Sequence, residues 1–323
     1  MLGSQRLQVD AVPKPTRGNF RKRNDIAAMM ADAMGEWMAA MRAERYPDAW
    51  DLSTRSMRAR DPATRDDATL PYHLRWVWDG RPFDDRDVLV RCYHGLGDTI
   101  QFARFLPALA ARAASVTLEA PARLQCLLGD MPVRFVPFDP ARPLPPAECD
   151  LEITELDFAL RQPPSSAPSP YLRADRALLP AGTVGLCYGA GEWDAERSIP
   201  PALLAPVAAQ RPCISLNAEP TDLPVLNPAG CPFDMAATAA LVAGCSLVIT
   251  VDTMIAHLAG ALGRPTWLLL KAEPDWRWSP HVRHSPWYPT VRLYPQPSPG
   301  DWPSVIADVA RDLADASSHA IGS

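Results

Sequence analysis

The sequence has no Cys-x-x-Cys pair. Its seven cysteines are odd in number and scattered from Cys92 to Cys245. That excludes a disulfide framework and a zinc ligand set by spacing, and favours buried thiols in a reducing compartment, the cytoplasm. Long hydrophobic runs are absent too. No window of about eighteen apolar residues exists, so no spanning helix is expected, which leaves at most a peripheral position at the inner membrane. The N-terminus lacks the apolar stretch of a secretory signal. Positive charge is short: the formal charge is −5 and the pI near 5.7. The one tight basic cluster, Arg21-Lys22-Arg23, reads as a solvated arm, so nucleic acid is not an expected partner. No repeat of solenoid period recurs.

What is present points to an α/β chain long enough for two core-bearing domains. Residues 1–23 read as a flexible arm. Over 24–70 a helical hairpin is expected. Met30, Met34, Trp37, Met38 and Met41 recur at helical spacing, and Pro47 restarts the chain into a second helix ending near Arg60. The pair is similar to a single worn tetratricopeptide unit, and its methionine stripe reads as core or docking surface. A first α/β unit is expected over 71–175. Its strands are Asp87–Cys92, Val116–Glu119, Val133–Phe138 and Leu151–Thr154, with helices from the first glycine turn through Ala113 and over Ala122–Leu128. Gln162–Pro170 reads as a linker. A second unit over 176–302 has strands Val184–Tyr188, Cys213–Leu216, Ser246–Val251 and Thr266–Leu270. Its helices are Pro201–Ala209, Met235–Ala243 and Met254–Leu262. A last helix, Pro303–Ala314, opens the tail, 303–323. Strands alternating with helices give open, mostly parallel sheets that bind ligands beyond the C-terminal strand ends.

Two strand-to-helix turns carry the chemistry. Tyr93-His94-Gly95-Leu96-Gly97-Asp98-Thr99 is neither a dinucleotide fingerprint, since the third glycine is missing, nor a P-loop, since no Gly-Lys-Ser/Thr follows. Gly95 and Gly97 permit a tight turn and close approach of a ligand. Asp98 is either a helix cap or a general base facing a cleft. The other turn, Thr250-Val251-Asp252-Thr253-Met254-Ile255-Ala256-His257, puts a carboxylate and a hydroxyl where an N-cap belongs. Free N–H groups and the helix dipole make such a turn a seat for phosphate. A capped helix with a packed His257 is the plainer alternative.

Three blocks are similar to glycosyltransferase family 9, the ADP-heptose:lipopolysaccharide heptosyltransferases and their relatives. They are Gly95-Leu96-Gly97-Asp98-Thr99-Ile100-Gln101-Phe102-Ala103-Arg104-Phe105-Leu106-Pro107, the Val251-Asp252-Thr253…Gly263-Arg264-Pro265 block, and Pro274-Asp275-Trp276-Arg277-Trp278…Ser285-Pro286-Trp287-Tyr288-Pro289. The likeness runs from about Tyr72 to Leu313 and is nearest to the transferase-like domain found behind tetratricopeptide repeats in bacterial proteins.

The resemblance implies a GT-B fold, with two doubly wound, Rossmann-like domains facing a cleft. It implies metal-independent, inverting transfer of a sugar, heptose first, from a nucleotide-diphosphate donor, ADP-linked first, to a glycan, lipopolysaccharide or protein hydroxyl. No cofactor beyond the donor is expected, and no Asp-x-Asp element stands at a strand end. By resemblance Asp98 is the base in the acceptor half, and Asp252, Thr253 and His257 belong to the donor half. Gly97 and Gly189 are expected at donor-binding turns. Arg197 stands where heptosyltransferases carry a phosphate-binding Lys, and its alternative is an ion pair with Glu192 or Asp194. Arg277 is expected near the diphosphate, with Trp276 or Trp278 packing the seam. The rival reading is a non-catalytic module of the same fold that docks a partner through its N-terminal hairpin. The acidic loop around Arg197 favours that rival.

Overall fold

A computed structural model describes residues 32–320. The expected arm, 1–23, and the start of the first expected helix lie outside the described residues. The hairpin comes first, as α1 (32–42) and α2 (Tyr46–Ala59). Pro47 falls in the first turn of α2, where its missing N–H leaves no helical bond unmade.

The first half contains β1 (Asp87–Arg91), α3 (Leu96–Phe102), α4 (Leu106–Ala110), β2 (Ser115–Ala120), α5 (Gln125–Leu128), β3 (Arg134–Pro137), β4 (Cys149–Glu152) and α6 (Leu156–Leu160). The second contains β5 (Val184–Cys187), α7 (Ala205–Ala208), β6 (Cys213–Ser215), α8 (Met235–Gly244), β7 (Leu247–Val251), α9 (Met254–Ala261), β8 (Thr266–Leu270), β9 (Val291–Pro295) and α10 (Trp302–Ala320). The sheets run β3-β2-β1-β4 and β6-β5-β7-β8-β9, with every ladder parallel.

Strand side chains alternate between two buried faces. In the second sheet Val248, Leu268, Leu270 and Leu293 enter one core, and Ile249, Val251, Leu269 and Tyr294 enter another, packed with Val305, Ile306 and Val309 of α10. Helices on both faces explain why these strands read as continuous apolar runs. In the first sheet the face carrying Arg91 is polar yet buried. Arg91 donates to Glu119 Oε2 at 3.0 Å and to Asp150 Oδ2 at 3.1 Å.

Three expectations need correction. The helix expected from the glycine turn to Ala113 is broken into α3, a 3-10 turn over Ala103–Phe105, and α4. Pro107 is the cause, because an unbroken helix would need its N–H. Strand β9 was not expected. Its alternation is only five residues long, between Pro289 and its own last residue, Pro295. The last helix runs beyond Ala314, to Ala320.

The halves meet along α3 and α9, which pack on each other. A Cβ added at Gly97 would come within 3.0 Å of His257 Cδ2 and 3.4 Å of Met254 Cα, so only glycine permits this approach. Beside it lies Arg104, 1% exposed. Its guanidinium donates to the Trp287 carbonyl at 2.5 Å and lies over the rings of Tyr171 and Tyr288, 4.9 and 4.4 Å from their centroids. Tyr171, just past the expected linker, donates its backbone N–H to the Ala261 carbonyl and its phenol to the Ile100 carbonyl.

Candidate active site

Both strand-to-helix turns lie at C-terminal strand ends. Asp98 follows β1, Asp252 follows β7, and Asp275 and Arg277 follow β8. Gly95, not Asp98, is the N-cap of α3. Asp98 sits one turn in, and its Oδ2 accepts the Gly95 N–H at 3.1 Å. Its Oδ1 accepts from Arg277 Nη2, which reaches it from the opposite half. Arg277 also donates to Asp275 Oδ1 at 2.9 Å and to Gln101 Oε1 at 2.6 Å. Burial works against the Arg277 charge, and the carboxylates of Asp275 and Asp98 more than restore it.

Asp252 was expected to share the cap of α9. The cap is Thr253 alone, and its side chain makes no capping bond. The Thr253 hydroxyl turns to Cys187 Sγ, 3.6 Å away. The cap residue therefore offers the first N–H groups of α9 no side-chain acceptor, the condition under which a helix start receives an anion. Asp252 is 9% exposed, and its carboxyl is pushed up to about 6 by burial, with Asp275 adding to the effect and Arg277 opposing it. Its carbonyl accepts from Arg197 Nη1 at 2.6 Å. Arg197 also lies 3.5 Å from Asp194 Oδ2, so the ion pair weighed from sequence is present along with a place in the site.

These groups border a pocket of about 200 Å³ lined by Asp194, Arg197, Asp252, Leu270, Lys271, Glu273, Pro274 and Asp275. Lys271 was not among the expected site residues. It bridges Asp194 at 3.0 Å and Glu196 at 3.3 Å. Its place at the end of β8 was readable, but its direction was not.

The remaining expected residues lie around this centre. Gly97 is spent on the α3–α9 approach. Gly189 follows β5, where a Cβ would strike Asn217 Nδ2. Asn217 itself holds the turn by accepting the Tyr188 N–H at 2.9 Å. His257 is buried beneath the seam, with Nδ1 3.1 Å from the Tyr288 hydroxyl and its ring stacked on Trp278 at 5.8 Å. Burial, then Arg277 and Arg104, hold His257 well below the usual imidazole range, so it is neutral. Trp278 is fully buried and Trp276 partly so, and both pack against the core where one was expected to. His94 lies 3.9 Å from Glu152 Oε2, and burial lowers its pKa against the pull of Asp98. Gln101, Asp275 and Tyr288 complete the site. Gln101 and Asp275 stand three and two residues from Asp98 and Arg277, a spacing that could have flagged them. Tyr288 had no such signal.

Residues 226–285 match the model of glycosyltransferase family 9 (heptosyltransferase), a span that holds Asp252, Thr253, His257, Asp275 and Arg277. Over that segment the chain is similar to glycosyltransferase family 9. Asp98 lies outside it, and the resemblance drawn from Tyr72 onward is wider than the match. No curated protein matches the chain.

Among solved structures the chain is similar to the iron-containing dodecameric glycosyltransferase TibC from enterotoxigenic E. coli H10407, at 12% identity and TM-score 0.50, over 70% of this chain and 67% of that one. It is similar also to ADP-heptose lps heptosyltransferase II of E. coli, at 17% identity and TM-score 0.47, over 72% and 99%. A third is the glycosyl transferase family 9 structure from Veillonella parvula DSM 2008, at 14% and 0.46, over 67% and 87%. At 12% identity the likeness to TibC speaks for the fold alone, and the scores under 0.5 add nothing to it. The fold of the family 9 segment and its partner half is GT-B, as expected. Among the described residues no group of three or more His, Cys, Asp or Glu is placed to hold a metal ion.

Proposed function

We propose that this chain is an inverting glycosyltransferase that moves a sugar from a nucleotide-diphosphate donor to a hydroxyl without a metal ion. ADP-heptose is the first candidate donor, and a glycan, lipopolysaccharide or protein the acceptor. The observation that carries the proposal is the Asp98–Arg277 pair. A carboxylate from one half and a guanidinium from the other meet at the C-terminal strand ends, beside the pocket and the uncapped start of α9. Transfer needs a base for the acceptor hydroxyl and positive charge for the departing diphosphate. Asp98 serves as the base. Arg277, Arg197, Lys271 and the α9 dipole serve the diphosphate.

The pairing also gives an order to the steps. While Arg277 holds Asp98, the carboxylate is neutralised and both its oxygens are engaged. A bound diphosphate is a stronger partner for Arg277, because it offers more charge and a bidentate face. Donor binding then draws Arg277 away and frees Asp98 for the acceptor. The ADP link and the heptose rest on the family resemblance. All seven cysteines are free, as a reducing compartment keeps them, and we extend the proposal to a cytoplasmic site of action.

A specific observation favours the rival. Arg197, Lys271 and Arg277 are each already paired with carboxylates, and four acids line the pocket. Calorimetry with ADP, UDP and GDP decides between the two readings. The transferase reading expects one diphosphate to bind below millimolar concentration. Absence of binding by all three removes it and leaves a non-catalytic module.

A further inference from the structure

The N-terminal hairpin is fastened to both halves, and its contacts with the second half fall on the loop that carries Arg277 and, at the hairpin's turn, on His284, 3.6 Å from Glu44. Trp37 of α1 meets Trp276 edge-on, with ring centroids 4.8 Å apart. Arg42 Nη2 donates to the Pro274 carbonyl at 2.6 Å. Trp276 in turn lies 4.5 Å beneath the Arg277 guanidinium carbon and edge-on to Trp287 at 5.9 Å. Trp37 is itself fixed, since its indole N–H donates to Ser53 Oγ of α2 at 3.1 Å. The other end of the hairpin grips the first half. Trp50 Nε1 reaches Asp157 Oδ2 at 3.4 Å, Arg161 Nη2 donates to Thr54 Oγ1 at 2.6 Å, and Arg60 pairs with Glu155 at 3.4 Å.

We propose that the hairpin is a strap that positions Arg277, with Trp37 and Arg42 as its positioning residues. This rests on the donor-site reading only for its consequence, not for its geometry. Two helices anchored on the base-carrying half reach across the seam and fix the 274–278 loop by one ring and one carbonyl. The loop has no regular structure of its own, so its backbone is held by such contacts. An aromatic edge contact and a charge-assisted bond to a carbonyl are the kind of contacts that hold such a loop. The inner face of the hairpin is thus occupied by its own chain, which removes that face from partner docking.

The test uses the full chain labelled at arginine, following the Nε–H signals of Arg277 and Arg104 by NMR. Arg104 is the internal control: its Nε donates to the Gln101 carbonyl, and among the described residues no hydrogen bond, ion pair or ring contact joins it to the hairpin. In Trp37→Ala the Arg277 signal should shift and exchange with water at least about tenfold faster, with Arg104 unchanged. Trp37→Phe, which restores a ring edge, should bring it back. Arg42→Met, which keeps the stem but loses the donor, should reproduce part of the change if Trp37→Ala does not fold. An Arg277 signal unmoved in both Trp37→Ala and Arg42→Met overturns the proposal. So does a change that Arg104 shares, which would mean general loosening. Titration with ADP adds the functional arm. The strap expects weaker ADP binding in Trp37→Ala, and equal affinity counts against it. If wild type binds no ADP, the donor reading fails while the NMR result still judges the strap.

Discussion

Glu152 ends β4 beside the Asp98 turn, and its pKa predicts how the protein responds to alkali. Its carboxyl is 3% exposed and pushed up from 4.5 to about 8, chiefly by burial. Bonds from Thr154 pull it down and the nearby Glu155 raises it further. The folded chain therefore holds a proton that the unfolded chain releases near 4.5. Stability linked to that proton is fully present below pH 4.5, declines as pH rises, and is gone once pH passes 8. The gap between 4.5 and about 8 corresponds to ~5 kcal/mol of preference for the neutral acid. Of this, ~3 kcal/mol lies between pH 6 and pH 9. Glu152→Gln supplies a permanently neutral side chain of the same shape. One cost follows from the geometry: Glu152 Oε1 accepts the Tyr93 N–H and Oε2 the Thr154 N–H. An amide offers only one acceptor atom, so the variant should begin about 1 kcal/mol less stable at pH 6. Urea unfolding at both pH values reads the result. Wild type should lose ~3 kcal/mol from pH 6 to pH 9 and Glu152→Gln should lose clearly less. Parallel slopes in the two proteins would refute the reasoning, since the alkaline loss would then belong to other groups.

Three further outcomes are expected. Asp98→Asn removes the base and puts an amide against Arg277, so transfer should fall at least about a hundredfold while ADP affinity holds or rises; near-normal turnover in that variant would end the case for Asp98. Gly260→Ala gains about 1 kcal/mol of helix propensity. Its new methyl falls inside contact distance of the Tyr288 ring that faces His257, 2.9 Å from Cδ2, and overpacking costs about 1–3 kcal/mol; a melting temperature that rises instead of falling would contradict the packing. Asp252→Ala removes no capping bond from α9, because Thr253 stands at the cap position and makes none, so it reads donor contact directly, and an unchanged ADP affinity in the folded variant excludes Asp252 from the donor site.

The elements that local chemistry dictates were legible. Runs such as Leu247–Val251 have no polar face and so must be buried on both sides, and the glycines at 95 and 97 marked a turn before α3. What was not legible is pairing across distance. Arg277 and Asp98 are 179 residues apart, and nothing near either residue signals the other. The same holds for Trp37 and Trp276. Gly97 in the sequence signals room for a ligand only because a glycine shows that something comes close. Here the approaching group is His257 on the opposite helix. Asp252 was read partly as a cap because a carboxylate before a helix is usually one. The helix begins at Met254 as expected, with Thr253 alone at its cap position, and the Asp252 carboxylate is left buried.

Arg104 gives the seam between the halves an uneven response to its surroundings. Its partners are two backbone carbonyls and aromatic faces, all neutral, and the guanidinium itself is buried, so dissolved ions find no second charge there to screen. The Arg277–Asp98 contact joins two formal charges, and Asp98 keeps 26% of its side-chain surface in water, within reach of the ionic atmosphere. The cleft thus has a fixed jaw and a yielding one. Rising ionic strength should loosen the Arg277–Asp98 edge while the Arg104 edge keeps its geometry, so the two halves would swing about Arg104 instead of separating.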